Sequence, residues 1–109
     1  MAKTISFEHD KKKYTLEYTL RTAGQCEQDG FVMEELGDKP ATMIPLLFHW
    51  AFQRHHRGIS KQQTSAIYAE MKRKNDLVTA LAEMYAEAVN ALIDSDETES
   101  EGNANWTLT

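Results

Sequence analysis

The chain has 109 residues, of which 41% are hydrophobic and 27% charged, a balance typical of one globular domain and not of a disordered chain. Residues 1–93 carry equal numbers of basic and acidic side chains, so the net charge of −5 comes entirely from residues 94–109. A neutral body has no global field to steer nucleic acid, which argues against a dedicated DNA-binding protein.

Two β-strands are predicted at the start of the chain. Ile5 and Phe7 alternate with polar residues, and the same alternation continues from Tyr14 to Leu20. A period of two indicates a sheet with one face buried. Residues 9–13 supply a polar turn, so the two strands form a β-hairpin. Because an isolated hairpin is marginally stable in water, we expect it to pack on the rest of the chain.

The first helix is predicted to begin at Thr22, which forms a capping box with Gln25. The helical pattern then continues to residue 36, but glycine inside a helix costs about 1 kcal/mol relative to alanine. We therefore expect a break at Gly30 and a second helical segment in residues 31–36. The sequence GDKP at residues 37–40 predicts a stop.

The next helix is unusually apolar. Thr42 is its predicted N-cap, which places Pro45 in the first turn, and Gly58 is its predicted end. The segment MIPLLFHWAF at residues 43–52 is apolar almost all round, so the helix is either central to the core or shared with another chain. We expect a mixture of the two. The predicted residues for self-association or partner binding are Phe48, Trp50 and Phe52.

Ser60 and Gln63 form another capping box, which predicts a helix to about Lys74. Its expected inward residues are Ala66, Ile67 and Met71.

The step Asn75–Asp76 is predicted to cap the last helix. Apolar residues recur there at spacings of three and four, which indicates an amphipathic helix. They are Leu77, Leu81, Met84, Ala88 and Leu92, with Val78, Tyr85 and Val89 beside them. The predicted class is therefore α+β, an N-terminal β-hairpin packed on a bundle of three to four helices.

Residues 94–109 are predicted to form an acidic, flexible tail after a single domain of residues 1–93. The run DSDETESE is too polar to enter a core, yet Trp106 and Leu108 follow it. Disordered segments are usually poor in aromatic residues, so this pair is a candidate for partner binding. The alternatives are that Trp106 folds back onto the domain or belongs to a frayed terminus.

Histidines and carboxylates suggest a metal site only weakly. His49 and His56 lie two helical turns apart, and His55 points about 100° away from His56. We expect no metal and no cofactor, with His55 and His56 instead favouring the C-terminal end of a helix dipole. No phosphate-binding loop or nucleophile motif is present in the sequence, and Cys26 is expected to be a semi-buried apolar residue. We expect no enzymatic activity.

Residues 54–74 form a basic segment with three possible roles. It can contact nucleic acid, dock an acidic segment, or be an ordinary charged surface. Its basic residues are Arg54, Arg57, Lys61, Lys72, Arg73 and Lys74.

A cytoplasmic location is expected. Cys26 is the only cysteine, so the domain does not depend on an oxidising compartment. The first 13 residues lack the apolar core of a signal peptide, and the apolar run at residues 43–52 is too short to cross a membrane.

Several segments together resemble the small tail assembly chaperones of long-tailed bacteriophages and prophages. They are LEYTLRTA, GFVMEEL, KPATMIPLLFHWAFQRHHRGIS, LVTALAEMYAEAVNALID and EGNANWTLT, which extend from about Tyr14 to Thr109. These are packing patterns and end motifs, and the family has no catalytic residues to transfer.

The resemblance implies a small, largely helical protein that coats the tape measure protein, keeps it soluble and recruits tail tube subunits. Such a protein associates with itself, acts in the cytoplasm of the bacterial host and is shed before the virion matures. Many members also have a longer, frameshifted form. The resemblance implies neither nucleic-acid nor membrane binding. The alternative is a small prophage regulator or adaptor that binds nucleic acid through residues 54–74.

Overall fold

In a computed structural model, which describes residues 4–93, a β-hairpin is followed by four α-helices. The elements are β1 (Thr4–His9), β2 (Lys12–Glu17), α1 (Leu20–Gln28), a 3-10 helix (Met33–Glu35), α2 (Pro40–Trp50), α3 (Lys61–Glu70) and α4 (Lys74–Ile93). The predicted α+β class is confirmed. The predicted acidic tail, residues 94–109, lies outside the described residues.

The alternating residues that the sequence predicts to face inward lie opposite one another in the β-hairpin. Ile5 pairs with Leu16 and Phe7 with Tyr14, and the rings of Phe7 and Tyr14 stack 5.4 Å apart. The turn is shorter than expected, because β1 and β2 continue to His9 and Lys12. Asp10 and Lys11 both have positive φ angles, 55° and 68°. Positive φ at both central residues is the condition for a type I′ turn, whose twist matches that of the strands.

The hairpin packs against the segment that follows α2. Phe52 lies 6.2 Å from Phe7 and 5.6 Å from Tyr14 between ring centroids, in edge-to-face contacts with both. The Glu17 N–H donates to the carbonyl of Ala51 at 2.9 Å. The exposed hairpin backbone is thus tied to the helical part of the chain, which supplies the packing that an isolated hairpin lacks.

The first helix begins earlier than predicted. Thr19, and not Thr22, is the N-cap, and the side chains of Thr19 and Thr22 each accept a hydrogen bond from the other residue's backbone N–H. The strand prediction was therefore too long, since β2 ends at Glu17 and Leu20 is the first helical residue. The sequence offers two overlapping capping pairs, Thr19 with Thr22 and Thr22 with Gln25, and the first pair is the one that forms the capping box.

The predicted break after α1 is confirmed. Asp29 caps the helix, and Gly30 has a φ of 110°, a conformation that favours glycine. Met33–Glu35 then forms the short 3-10 helix.

Pro40 was assigned to the stop but is the first residue of α2. The predicted Thr42 cap is therefore wrong, and Pro45 lies inside the helix, where its ring removes one backbone hydrogen bond. The helix ends at Trp50 and not near Gly58. At this end of the helix, the carbonyl of Ala51 accepts a hydrogen bond from the Glu17 N–H of the hairpin instead of from a later residue of the helix.

Helix α2 is the centre of the domain. It contacts α1, α3, α4 and the 3-10 helix. The buried residues of α2 are Met43, Leu47, Phe48 and His49. Neighbours on several sides account for the apolar pattern within a single chain, so central burial explains most of what had suggested a shared helix.

Helix α3 begins at its predicted capping box, where Ser60 and Gln63 exchange hydrogen bonds. The helix ends at Glu70 and not near Lys74, so the predicted inward residue Met71 is its C-cap. Thr64 and Ile67 are buried, whereas Ala66 is exposed.

Helix α4 begins at Lys74, immediately after Arg73, which has a positive φ of 51°. The predicted cap at Asn75–Asp76 is wrong, because both residues already lie in the first turn. The predicted apolar stripe is confirmed at Leu77, Leu81, Met84 and Tyr85, which are buried. The side chain of Leu92 lies outside the described part.

Among residues 4–93, no helix combines the length and apolar character required to cross a membrane.

Candidate functional site

Two of the three predicted self-association residues lie in the core. Phe48 and Phe52 are 1% and 0% exposed. Their rings meet edge to face at 5.0 Å, and Phe48 also meets Tyr68 at 5.1 Å. The prediction that Phe48 and Phe52 offer a surface to a partner is therefore wrong. Contacts with the hairpin and α3, which cannot be read from the pattern of α2 alone, cover both rings.

Trp50 is half-buried and has a polar role. Its indole N–H donates to the carboxylate of Asp29 at 2.9 Å, and Lys61 pairs with the same oxygen at 2.6 Å. These contacts join the ends of α1 and α2 to the start of α3. Lys61 lowers the pKa of Asp29 by its hydrogen bond, to which the indole N–H adds. Trp50 retains some exposed surface, but its best-defined contacts are internal.

An apolar groove lies between α2 and α3. It has a volume of about 230 Å³, and its floor consists of Phe48 and Thr64, which are buried. Pro45, Ser65 and Ala69 are exposed along its walls, and Tyr68 is half-buried. No charged side chain lines the groove among the described residues. The groove therefore favours an apolar side chain over a polar one.

The basic segment at residues 54–74 is not one continuous patch. Lys61 is paired with Asp29, and the Lys74 ammonium donates to the carbonyls of Ala69 and Met71. Lys72 and Arg73 line a separate pocket beside Ile5. This division shortens the basic surface that a nucleic-acid backbone would need to follow.

Arg54 and Arg57 line a polar pocket of about 200 Å³ with a third arginine, Arg21. Thr19, Thr22, Gln25 and Gln53 complete its wall. Arg21 was not predicted, because it precedes Arg54 by 33 positions and only the packing of α1 beside residues 53–57 brings them together. The one feature of the sequence that could have indicated an anion site at Arg21 is its place in the first turn of α1, since the N-terminal end of a helix attracts anions.

The histidines have structural partners. His55 contacts the Glu17 carboxylate at 2.8 Å, and the Nε2 atom of His56 accepts from the Thr15 N–H at 3.0 Å. His49 is buried and contacts the Thr64 hydroxyl at 3.0 Å. The prediction that His55 and His56 lie at a helix end is wrong, because α2 ends at Trp50 and both side chains contact the hairpin instead. In the part of the chain that the structure describes, no group of three or more histidine, cysteine, aspartate and glutamate residues is placed to hold a metal ion.

Cys26 is fully buried, more deeply than expected. Its thiol lies 3.6 Å from the Tyr18 hydroxyl, which donates to the Leu47 carbonyl at 2.6 Å. Burial raises the pKa of the Cys26 thiol to about 12. A thiol with so high a pKa is protonated at neutral pH and is a poor nucleophile.

Trp106 and Leu108, the remaining predicted partner-binding residues, lie outside the described residues. Comparison with curated proteins and with solved structures finds no match to the chain. A family model described as "Domain of unknown function (DUF5055)" matches residues 1–109. The chain therefore belongs to the DUF5055 family.

Proposed function

We propose that this protein is a tail assembly chaperone of a long-tailed phage or prophage and is not an enzyme. In this role it coats the tape measure protein, keeps that long helical chain soluble, and recruits tail tube subunits around it. It acts in the cytoplasm of the bacterial host and is shed before the virion matures. The segments that resemble the known chaperones suggest this role, and one structural feature supports it.

The supporting feature is the groove between α2 and α3. A helix that lies in such a groove inserts apolar side chains spaced three and four residues apart. The exposed wall residues Pro45, Ser65 and Ala69 are small, so the backbone of a client helix can approach closely. The absence of charge along the described lining suits the apolar stripe of a long amphipathic helix, which would aggregate if left uncovered.

The size of the groove suits a contact that must later be released. A space of about 230 Å³ is below the usual range for tight small-molecule sites. Each copy would therefore bind weakly, and many copies along one tape measure protein would bind firmly through multivalency. Displacement of copies one at a time by tube subunits is then energetically easy.

Self-association is part of the proposal, but the structure directs it away from Phe48 and Phe52. In the described part of the chain, the exposed large hydrophobic residues are Leu20 and Val32, at 44% and 40%. With the half-buried Trp50, they are the candidates for contacts between copies. Trp106 and Leu108, outside the described residues, remain candidates for partner binding or self-association.

The test places a carboxylate in the groove. Ala69→Glu puts a charge on the exposed wall of α3, where glutamate is compatible with a helix. The matched control is Ala86→Glu, at an exposed position of α4. The client is the tape measure protein encoded in the same gene cluster, and light scattering follows its aggregation.

We expect the full chain and Ala86→Glu to suppress aggregation equally. Ala69→Glu is expected to need about tenfold more protein for the same effect, because an unpaired carboxylate is costly to bury. Equal suppression by both variants would show that the groove does not hold the client. Failure of the unmodified chain to suppress aggregation would overturn the proposed function itself.

A further inference from the structure

The pocket formed by Arg21, Arg54 and Arg57 has an unbalanced charge. Within residues 4–93, no hydrogen bond or ion pair to another residue engages any of the three guanidinium groups. No carboxylate lines the pocket in that part of the chain. The nearby Glu17 is committed to His55 at 2.8 Å. Like charges gathered without a counter-ion repel one another, so an anion bound there would be favoured.

The chemistry of the pocket is that of a carboxylate site. Guanidinium groups donate two parallel hydrogen bonds to a carboxylate or phosphate, which lysine cannot do. The side-chain amide of Gln25 adds neutral donors, and that of Gln53, whose Nε2 atom lies 3.4 Å from His49 Nε2, retains a second N–H. The pocket also lies at the start of α1, where the helix dipole adds partial positive charge.

The sequence contains a matching anion. Five acidic residues lie in Asp94–Glu101, and no Lys or Arg follows Lys74. The rest of the chain is neutral, so this segment holds the whole charge excess, and the arginine pocket holds a cluster of the opposite sign that has no partner within residues 4–93.

The chain geometry allows the two to meet. Helices α1 and α4 pack together, and the Tyr85 hydroxyl donates to Glu27 at 2.9 Å. Arg21 lies about 9 Å from that contact along α1 and Ile93 about 12 Å along α4, so the two are at most about 21 Å apart along the helix axes, whichever way the helices run. Eight residues of extended chain span about 26 Å, so a segment that starts after Ile93 can reach the pocket of its own chain.

We propose that the Arg21–Arg54–Arg57 pocket is an anion site that binds the acidic segment Asp94–Glu101 of the same chain. This site is separate from the α2–α3 groove, and its role goes beyond the proposed chaperone function. The contact anchors the start of the tail to the domain and sets where Trp106 is presented. It depends on exposed ion pairs, so it weakens as salt is added.

The test measures how fast each arginine reacts with phenylglyoxal in the full chain, by mass spectrometry of peptides. Arg73, the fourth arginine of the chain, lies in the other basic pocket and is an internal control. The comparison variant neutralises the acidic segment with Asp94→Asn, Asp96→Asn, Glu97→Gln, Glu99→Gln and Glu101→Gln. These positions lie outside residues 4–93, and circular dichroism checks that helix content is unchanged.

We expect the three pocket arginines to react about tenfold more slowly in the unmodified chain than in the neutralised variant, which corresponds to about 1.4 kcal/mol. Arg73 should react equally in both. The protection should disappear in high salt and should not change on dilution. In Arg54→Ala/Arg57→Ala the protection of Arg21 should be lost, whereas Lys72→Ala/Arg73→Ala should leave it intact.

Equal rates in the unmodified and neutralised chains would overturn the proposal. Protection of Arg73 to the same extent would show diffuse attraction and no specific site. Protection that falls on dilution would assign the acidic segment to a second copy, against the intramolecular contact. Protection seen only when duplex DNA is added would make the pocket a phosphate contact instead.

Discussion

The indole N–H of Trp50 donates a hydrogen bond of 2.9 Å to the carboxylate of Asp29. The same carboxylate pairs with Lys61 at 2.6 Å. Asp29 follows α1, Trp50 ends α2 and Lys61 begins α3, so one acidic side chain joins three helices at their ends. This junction connects the end of α2 to the start of α3, the two helices that line the groove.

Asp29→Asn is expected to lower the free energy of unfolding by about 1 kcal/mol at neutral pH, because Lys61 loses its counter-charge. The effect is modest since Lys61 is 56% exposed and water screens the pair. Urea unfolding measures it. Asp38→Asn, at an exposed position, is the control and should change stability by less than about 0.5 kcal/mol.

The same junction should depend on pH. Lys61 holds the pKa of Asp29 below its ordinary value of 3.8, so the native state favours the charged carboxylate. Its stabilisation is complete above 3.8 and is lost as pH falls through the lower native pKa. The difference between the unmodified chain and Asp29→Asn should therefore shrink in acid. A difference that stayed constant from neutral pH to about pH 2 would contradict this account.

His49 is expected to make stability fall at mildly acid pH. Burial is the main cause that lowers its pKa below 6.5, Lys61 adds to the effect, and Asp29 opposes it. The unfolded chain then binds a proton more readily than the native one, so stability is complete above 6.5 and declines as pH falls toward the lower native pKa.

The measurement is the melting temperature between about pH 8 and pH 5 for the unmodified chain and His49→Gln. The His49→Gln variant should show a shallower decline, whatever its absolute stability. The remaining slope should come partly from His56, whose pKa is also lowered, mainly by burial. Identical slopes would mean that His49 is protonated equally in both states.

Phe52→Ala is expected to destabilise the domain by about 3–5 kcal/mol, because it removes a fully buried ring and leaves a cavity. The ring contacts Phe7, Tyr14 and Phe48, so the hairpin should loosen first. Val32→Ala, at a side chain 40% exposed, is the matched control and should cost far less. If Phe52→Ala hardly changed the free energy of unfolding, the ring would not be packed in the core and Phe52 would again be a candidate for partner binding.

Cys26 should resist thiol reagents in the native state. It is fully buried and its pKa is raised to about 12 by that burial, so almost no thiolate is present or accessible at pH 8. An aromatic disulfide reagent should react with it only after denaturant unfolds the chain. Rapid reaction in native buffer would indicate that α1 opens locally.

Ser60→Ala is expected to cost about 1 kcal/mol, because the Ser60 hydroxyl accepts from the Gln63 N–H at the start of α3. Thr79→Ala, at an exposed position inside α4, is the control and should be neutral or slightly stabilising. Thermal unfolding compares the two. Because α3 forms one wall of the groove, Ser60→Ala should also weaken client binding.

Local patterns predicted most of the elements. That Phe7 and Tyr14 share one face of the hairpin follows from period-two alternation, and the α4 stripe from Leu77 to Tyr85 follows from spacings of three and four. Both depend on neighbours close in the chain. Boundaries were less predictable where two local signals competed, as at Thr19 and Thr22, since reciprocal bonding decides which residue is the cap.

The α+β class, the hairpin, the start of α3 and the separation of a neutral body from an acidic segment could all be predicted, because periodicity, capping and charge are properties of residues close together in the chain. The burial of Phe48 and Phe52, the hydrogen bond from Trp50 to Asp29 and the meeting of Arg21 with Arg54 and Arg57 became visible only in the folded chain. These relationships join residues far apart in the chain. They depend on which helices pack together, and packing depends on the whole apolar surface and not on any one segment.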